Sequence, residues 1–205
     1  MTLGQISVTS LNKAKRKKRR FGAVVTIEDP GQRNPLRFHH SPHPEHLVLK
    51  FEDIDFVDPT IALPREEHVL AVLDFGRKHA ERDILVHCKA GIARSTAMAL
   101  ALLADRLGKG YEREAVDHLL NVRPEAIPNL VILGMTDRIL ERDGALVDAW
   151  MEVENSDPEY AAHRVQKRDI FVRRPDLFAK AREDVTGSIM HFTEKSLMAK
   201  IGKPL

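Results

Sequence analysis

The segment His87-Cys88-Lys89-Ala90-Gly91-Ile92-Ala93-Arg94-Ser95-Thr96 sets the chain's one thiol six positions ahead of an arginine, with a glycine between them and two hydroxyls after. Before it, Ile84-Leu85-Val86 is a brief all-apolar run of the kind expected for a strand covered on both faces. After it, Ala97 to Leu107 is apolar on nearly every side and reads as a buried helix closed by Gly108. A turn between such a strand and such a helix lies at the helix N-terminus, where unpaired amides and the dipole attract anions. Cys88 opens that turn, so amides able to hold a phosphate would also stabilise a thiolate, the nucleophilic form of sulfur. Arg94 can curl back over the loop and grip two oxygens of a phosphoryl group with its planar fork. Gly91 lets the backbone turn its amides inward, and the small Ala90 and Ala93 keep the approach open. The competing reading is a buried structural cysteine, for which the rest of the pattern would be coincidence.

The elements that must position this turn are legible in outline. Gln5 to Val8 and Gly22 to Ile27 are short β-branched runs flanking a basic stretch, which predicts strand, basic helix, strand. Leu47 to Phe51 alternates and predicts a third strand, reached through a loop holding Pro30, Gly31, Pro35, Pro42 and Pro44. Pro64 precedes a helical pattern with Val69, Val72, Leu73, Gly76 and Ala80 on one face, ending near Asp83. Glu112 to Val122, Pro128 to Glu141 and Ala145 to Glu154 read as helices, and short charged helices follow around Glu159 to Arg168 and Pro175 to Arg182. Strands joined by helices, then a run of helices, predict an α/β fold with a small, mostly parallel sheet flanked by helices. One domain is expected over residues 1–150. A helical extension over 151–205 would either pack on it or serve an oligomer contact.

A chain of 205 residues, 43% hydrophobic and 30% charged, can bury a real core, which excludes disorder throughout. A single cysteine excludes an intramolecular disulfide and any zinc site needing two thiolates, and suits a reducing compartment. The longest apolar run, Ala97 to Ala104, falls far short of the roughly 20 residues a membrane helix needs, and the N-terminus has no signal-like apolar stretch. The expectation is a cytoplasmic protein without a membrane span.

The net charge of +2 divides into +6 over residues 1–45 (nine Lys/Arg against three Asp/Glu) and −4 over the remainder. Most of the excess is one run, Lys13, Lys15, Arg16, Lys17, Lys18, Arg19 and Arg20. Such a block can attract phosphates, nucleic acid or an anionic membrane, and a solvated helix face is the plainer reading. His39, His40, His43 and His46 crowd one loop, and imidazoles can bind transition metals. No helix holds them on one face and two prolines intervene, and thiol chemistry needs neither metal nor cofactor, so none is expected.

HCKAGIARST resembles the phosphate-binding loop of the cysteine-dependent protein tyrosine phosphatases, whose signature is His-Cys, five residues, Arg, then Ser or Thr. In size the chain resembles the compact dual-specificity branch, small bacterial members included. Val122-Arg123-Pro124 with Pro128-Asn129 is similar to that family's "R…PN" stretch, and the likeness extends over most of residues 1–145. The resemblance implies a phosphomonoester hydrolase working through a phosphocysteine intermediate. Cys88 would be the nucleophile, and Arg94 would bind substrate and stabilise the transferring phosphoryl. Ser95 would hydrogen-bond the departing thiolate, Lys89, Ala90, Gly91, Ile92 and Ala93 would line the phosphate site, and His87 would tune the loop from behind.

The resemblance further implies an Asp on a separate upstream loop that protonates the leaving oxygen and then activates water. Asp53, Asp55 and Asp58, together with Glu52, lie in range, and chemistry alone does not choose among them. The strand from Leu47 to Phe51 running into Glu52-Asp53 is similar to the family's strand ending in the acid, which favours Asp53, then Asp55, then Asp58. Neighbouring carboxylates would raise the acid's pKa. Lys89 is shared with related lipid phosphatases, but their second loop lysine is Ile92 here. The implied substrate is phosphotyrosine, with phosphoserine and phosphothreonine, in a protein. A phosphoinositide or RNA 5′-phosphatase engaging a polyanion through Lys13 to Arg20, and a catalytically silent phospho-ligand binder, stand as alternatives. The oligomeric state stays open.

Overall fold

The computed structural model describes residues 2–30, 43–181 and 188–193. Its sheet has the strands β1 (Ile6–Ser10), β2 (Ala23–Glu28), β3 (His46–Lys50), β4 (Ile84–Cys88) and β5 (Ile189–Phe192) in the order β1-β4-β2-β3-β5. The first four run parallel, and β5 pairs antiparallel with β3 at one edge. The sheet is thus small and mostly parallel, as its short apolar runs suggest.

Side chains alternate along each strand. Ile6, Val8, Val25, Ile27, Leu47, Leu49, Ile84 and Val86 therefore share one face and join the main core with the helices α2 (Glu66–Lys78), α3 (Arg94–Leu107), α4 (Glu112–Val122), α5 (Leu130–Ile139) and α6 (Ala145–Ser156). On the opposite face Val24 and Leu85 pack against Ala14 of α1 (Leu11–Lys17). Helix α3 is buried from Arg94 to Ala104, as its apolar composition requires. It crosses α2 so closely that a Cβ on Gly76 would stand 2.2 Å from Leu102 Cδ2.

The expected elements recur with shifted ends. The first strand runs on to Ser10, and the helix after the thiol opens at Arg94 rather than Ala97. Asn129 caps α5 by accepting from the amides of Val131 and Ile132, so this helix starts at Leu130 instead of Pro128. The charged segment beyond Asp157 forms one long helix, α7 (Pro158–Arg173), capped by the Asp157 side chain. Of the helix expected over Pro175 to Arg182, the described part, which ends at Ala181, forms a single 3-10 turn at Pro175–Leu177, because the chain then extends and pairs Lys180 with Ile61; Arg182 lies outside the described residues. Strand β5 has no counterpart in the expectations: four residues at a sheet edge take their extended form from pairing with β3. Helix α6 runs through the expected boundary at 150/151. No helix among the described residues is long and apolar enough to cross a membrane.

Candidate active site

In a parallel sheet, ligands gather beyond the carboxyl ends of the strands. Here that edge brings together Asp29 after β2, Glu52 and Asp53 after β3, and Cys88 at the end of β4. All four line a cleft of about 440 Å³ whose base is the loop Lys89, Ala90, Ile92, Ala93 and Arg94.

The loop holds its shape by turning its carbonyls outward. Lys89 O accepts from Leu11 N, and Ala90 O and Gly91 O accept from the Arg123 guanidinium at 3.4 and 2.9 Å. Ile92 O accepts from Ile127 N, and Ala93 O from Ala97 N and Thr96 Oγ1. With five successive carbonyls engaged outside, the peptide planes point their N–H groups toward the cleft. Gly91 N donates to Cys88 Sγ at 3.2 Å. Gly91 has φ 76°, and a Cβ there would meet Thr9 O at 2.5 Å, so both the conformation and the space call for glycine. Ser95 Oγ lies 3.2 Å from Cys88 Sγ, within hydrogen-bond reach of the sulfur.

His87 sits beneath the loop on the other face of the sheet. Its Nδ1 is 3.3 Å from the Cys88 carbonyl, which can only accept, so Nδ1 carries the proton. Nε2 then accepts from Thr26 Oγ1 (2.8 Å), which in turn accepts from His46 Nε2 (2.7 Å). Burial pushes His87 down to about 4 and His46 to about 3, so both imidazoles are neutral at neutral pH.

Arg94 is 3% exposed. Its Nη1 donates to Phe51 O at 2.7 Å, and its Nη2 pairs with Asp29 at 2.6 Å. Its Nε is buried without a hydrogen-bond partner among the described residues, with Asp53 Oδ2 3.8 Å away. Burial works against the charge, but Asp53, Cys88 and Asp29 outweigh it and hold the guanidinium protonated. Asp29 was not among the candidates. Its signal lay in its place after the second strand, at the edge where the thiol emerges.

The three upstream aspartates separate cleanly. Asp53 faces the cleft; Asp55 is paired with Arg164 (3.2 Å) and Lys167 (2.9 Å), and Asp58 caps Thr60 on the surface. Asp53 Oδ1 accepts from Lys167 Nζ at 2.7 Å and from Asn129 Nδ2 at 3.0 Å. Burial would push its carboxyl up, but Lys167 and Arg94 outweigh it and hold the group below the usual carboxylate range. This reverses the expected upward shift: the carboxylates are indeed crowded, but α7 brings cations to them across more than a hundred residues. Glu52, by contrast, is pushed up by burial, and its Oε1 accepts from Ala179 N.

Residues beyond 157 supply the rest of the cleft. His163 of α7, with Leu177 and Phe178, lines it together with Cys88 and Arg94. Of the four loop histidines, His43 bonds Phe21 O and His46 bonds Thr26, while His39 and His40 lie outside the described residues.

No family model matches the chain, and no curated protein matches it. Among solved structures it is similar to human DUSP28 (21% identity over 68% of this chain and 94% of that one, TM-score 0.47). It is also similar to Cydia pomonella PTP-2 phosphatase (19%, 64% and 83%, TM-score 0.47) and to PTPMT1 in complex with PI(5)P (18%, 69% and 92%, TM-score 0.43).

Proposed function

We propose that the protein is a phosphomonoester hydrolase that works through a phosphocysteine, with a phosphorylated tyrosine, or serine or threonine, of a protein as its substrate. The observation that carries this reading is the loop: five outward-bound carbonyls turn its amides onto the space above Cys88 Sγ, beside the Nε–H of Arg94, which has no hydrogen-bond partner among the described residues. That is a site for a tetrahedral oxyanion with a sulfur at its base.

In the first step the Cys88 thiolate attacks phosphorus and the bond to the leaving oxygen breaks. Asp53 gives that oxygen its proton, while Arg94 and the loop amides hold the equatorial oxygens. In the second, Asp53 takes a proton from water as the water attacks phosphorus. The S–P bond breaks, Ser95 donates a hydrogen bond to the departing thiolate, and inorganic phosphate leaves. Asp29 and Phe51 O aim the guanidinium.

The cleft weighs toward a single phosphoryl group. Asp29, Glu52 and Asp53 line it, Ile92 adds no charge, and Leu177 and Phe178 offer an apolar wall to an aromatic ring. The basic run supports a polyanion less well: α1 leaves the sheet edge beside Cys88, but the chain re-enters β2 where Ala23 pairs with Ile84, about 13 Å back along β4.

Asp53→Ala tests the acid. kcat/KM, which reports the first step, should fall by about 10²-fold or more for an aryl phosphate with a poor leaving group, and far less for an activated one. Equal losses on both would remove Asp53 from the role and leave Glu52 as the other carboxyl able to serve.

A further inference from the structure

A second cluster lies at the opposite edge of the sheet, away from Cys88. Glu45 precedes β3, His79 follows the last residue of α2, and His191 belongs to β5. His79 Nε2 stands 3.3 Å and His191 Nε2 3.9 Å from Glu45 Oε2, and the three ligand atoms lie within 4.8 Å of one another. We infer that Glu45, His79 and His191 form a binding site for one Zn²⁺, which ties the edge strand β5 to α2 and to the start of β3.

Tetrahedral zinc with ligands at roughly 2.0–2.1 Å keeps those ligands about 3.3 Å apart. The Glu45–His79 pair already has that separation, and His191 Nε2 stands 0.6 Å beyond it from Glu45 Oε2 (3.9 against 3.3 Å). His79 is only 4% exposed, yet its Nε2 has no hydrogen-bond partner among the described residues, and neither has Glu45 Oε2. A buried imidazole nitrogen and a buried carboxylate oxygen left facing each other are costly unless something lies between them.

The donor set matters as much as the spacing. Two imidazoles and one carboxylate suit zinc and its first-row neighbours, whereas magnesium and calcium demand oxygen. His79 caps the C-terminal end of α2, where the helix dipole favours a cation. The Phe75 ring lies against both imidazoles, with centroids 4.5 Å from His79 and 5.4 Å from His191, and fixes their approach. Two cations oppose the ion: Lys78 Nζ, 3.9 Å from Glu45 Oε2, and Arg82, whose charge reaches His79. The Lys78 side chain is 54% exposed and can turn to water. Water completes the fourth position. So far from the thiol the ion is structural, and its effect falls on β5 and the C-terminal segment.

The test uses the full chain carrying Cys88→Ser, so that the thiol cannot take the metal, freed of metal by chelator and titrated calorimetrically with Zn²⁺. One ion per chain and a melting temperature several degrees higher with zinc than with chelator are expected. Co²⁺ in its place should give the visible bands of a four-coordinate ion with nitrogen and oxygen ligands. His191→Ala, at a half-exposed edge position, and Glu45→Gln should each weaken zinc binding at least tenfold. Absence of stoichiometric binding, or binding unchanged in both variants, would overturn the assignment.

Discussion

The base and the wall of the cleft are built in opposite ways. The base is a single loop, residues 88–94, whose carbonyls are bound by the Leu11, Ala97 and Ile127 amides, the Thr96 hydroxyl and the Arg123 guanidinium. The wall comes from α7 and the chain after it, where His163, Leu177 and Phe178 line the cleft and Lys167 and the Ala179 amide bind Asp53 and Glu52 only because distant chain folds over them. The base sets the chemistry by backbone geometry. The wall adjusts the charge on groups already there.

If that division is right, damage to the base should cost most. Gly91→Ala forces an L side chain into φ 76° and drives a Cβ into the Thr9 backbone, so the loop must shift. A displacement of about 1 Å there should lower kcat/KM on an aryl phosphate by about 10²-fold or more. Near wild-type turnover by this variant would break the claim that the loop's shape is the catalytic element. Arg123→Ala removes two charge-assisted bonds to loop carbonyls, each worth roughly 1.5–3 kcal/mol, and the expected loss in kcat/KM is roughly tenfold to a hundredfold.

The smallest effect belongs to the wall, and it is a matter of pH. Lys167 is the largest influence holding the Asp53 carboxyl down. In Lys167→Met burial is less opposed, the Asp53 pKa rises, and the acid stays protonated to higher pH. The alkaline limb of the pH–rate profile, measured with a poor leaving group, should therefore move to higher pH, with little change in the maximum rate. A lower rate with an unmoved limb would reduce α7 to packing.

The same contrast explains what could be read in advance. The thiol, Arg94, Ser95 and Gly91 are held within one turn, so their types and spacing carry the geometry, and the strand and helix on either side are marked by their own apolar patterns. Asp53 could be ranked above Asp55 and Asp58, and the structure sends the three to different places: the cleft, a pair of cations, and a surface turn. The expected direction of its pKa is reversed because Lys167 sits in a helix with no buried residue, whose sequence looks merely charged. Asp29 and β5 were missed for related reasons. One is functional only by its place at the sheet edge, and the other is a strand only by its partner.

The central claim is that Cys88 becomes covalently phosphorylated. Asp53→Ala protein, mixed with an activated aryl phosphate and quenched during turnover, should carry one phosphoryl group on the peptide containing Cys88 by mass spectrometry, because attack no longer needs the acid while hydrolysis still needs the base. Cys88→Ser should carry none and should turn over at least about a thousandfold more slowly than wild type. Steady turnover without phosphate on Cys88, or a Cys88→Ser variant with undiminished turnover, would contradict the account.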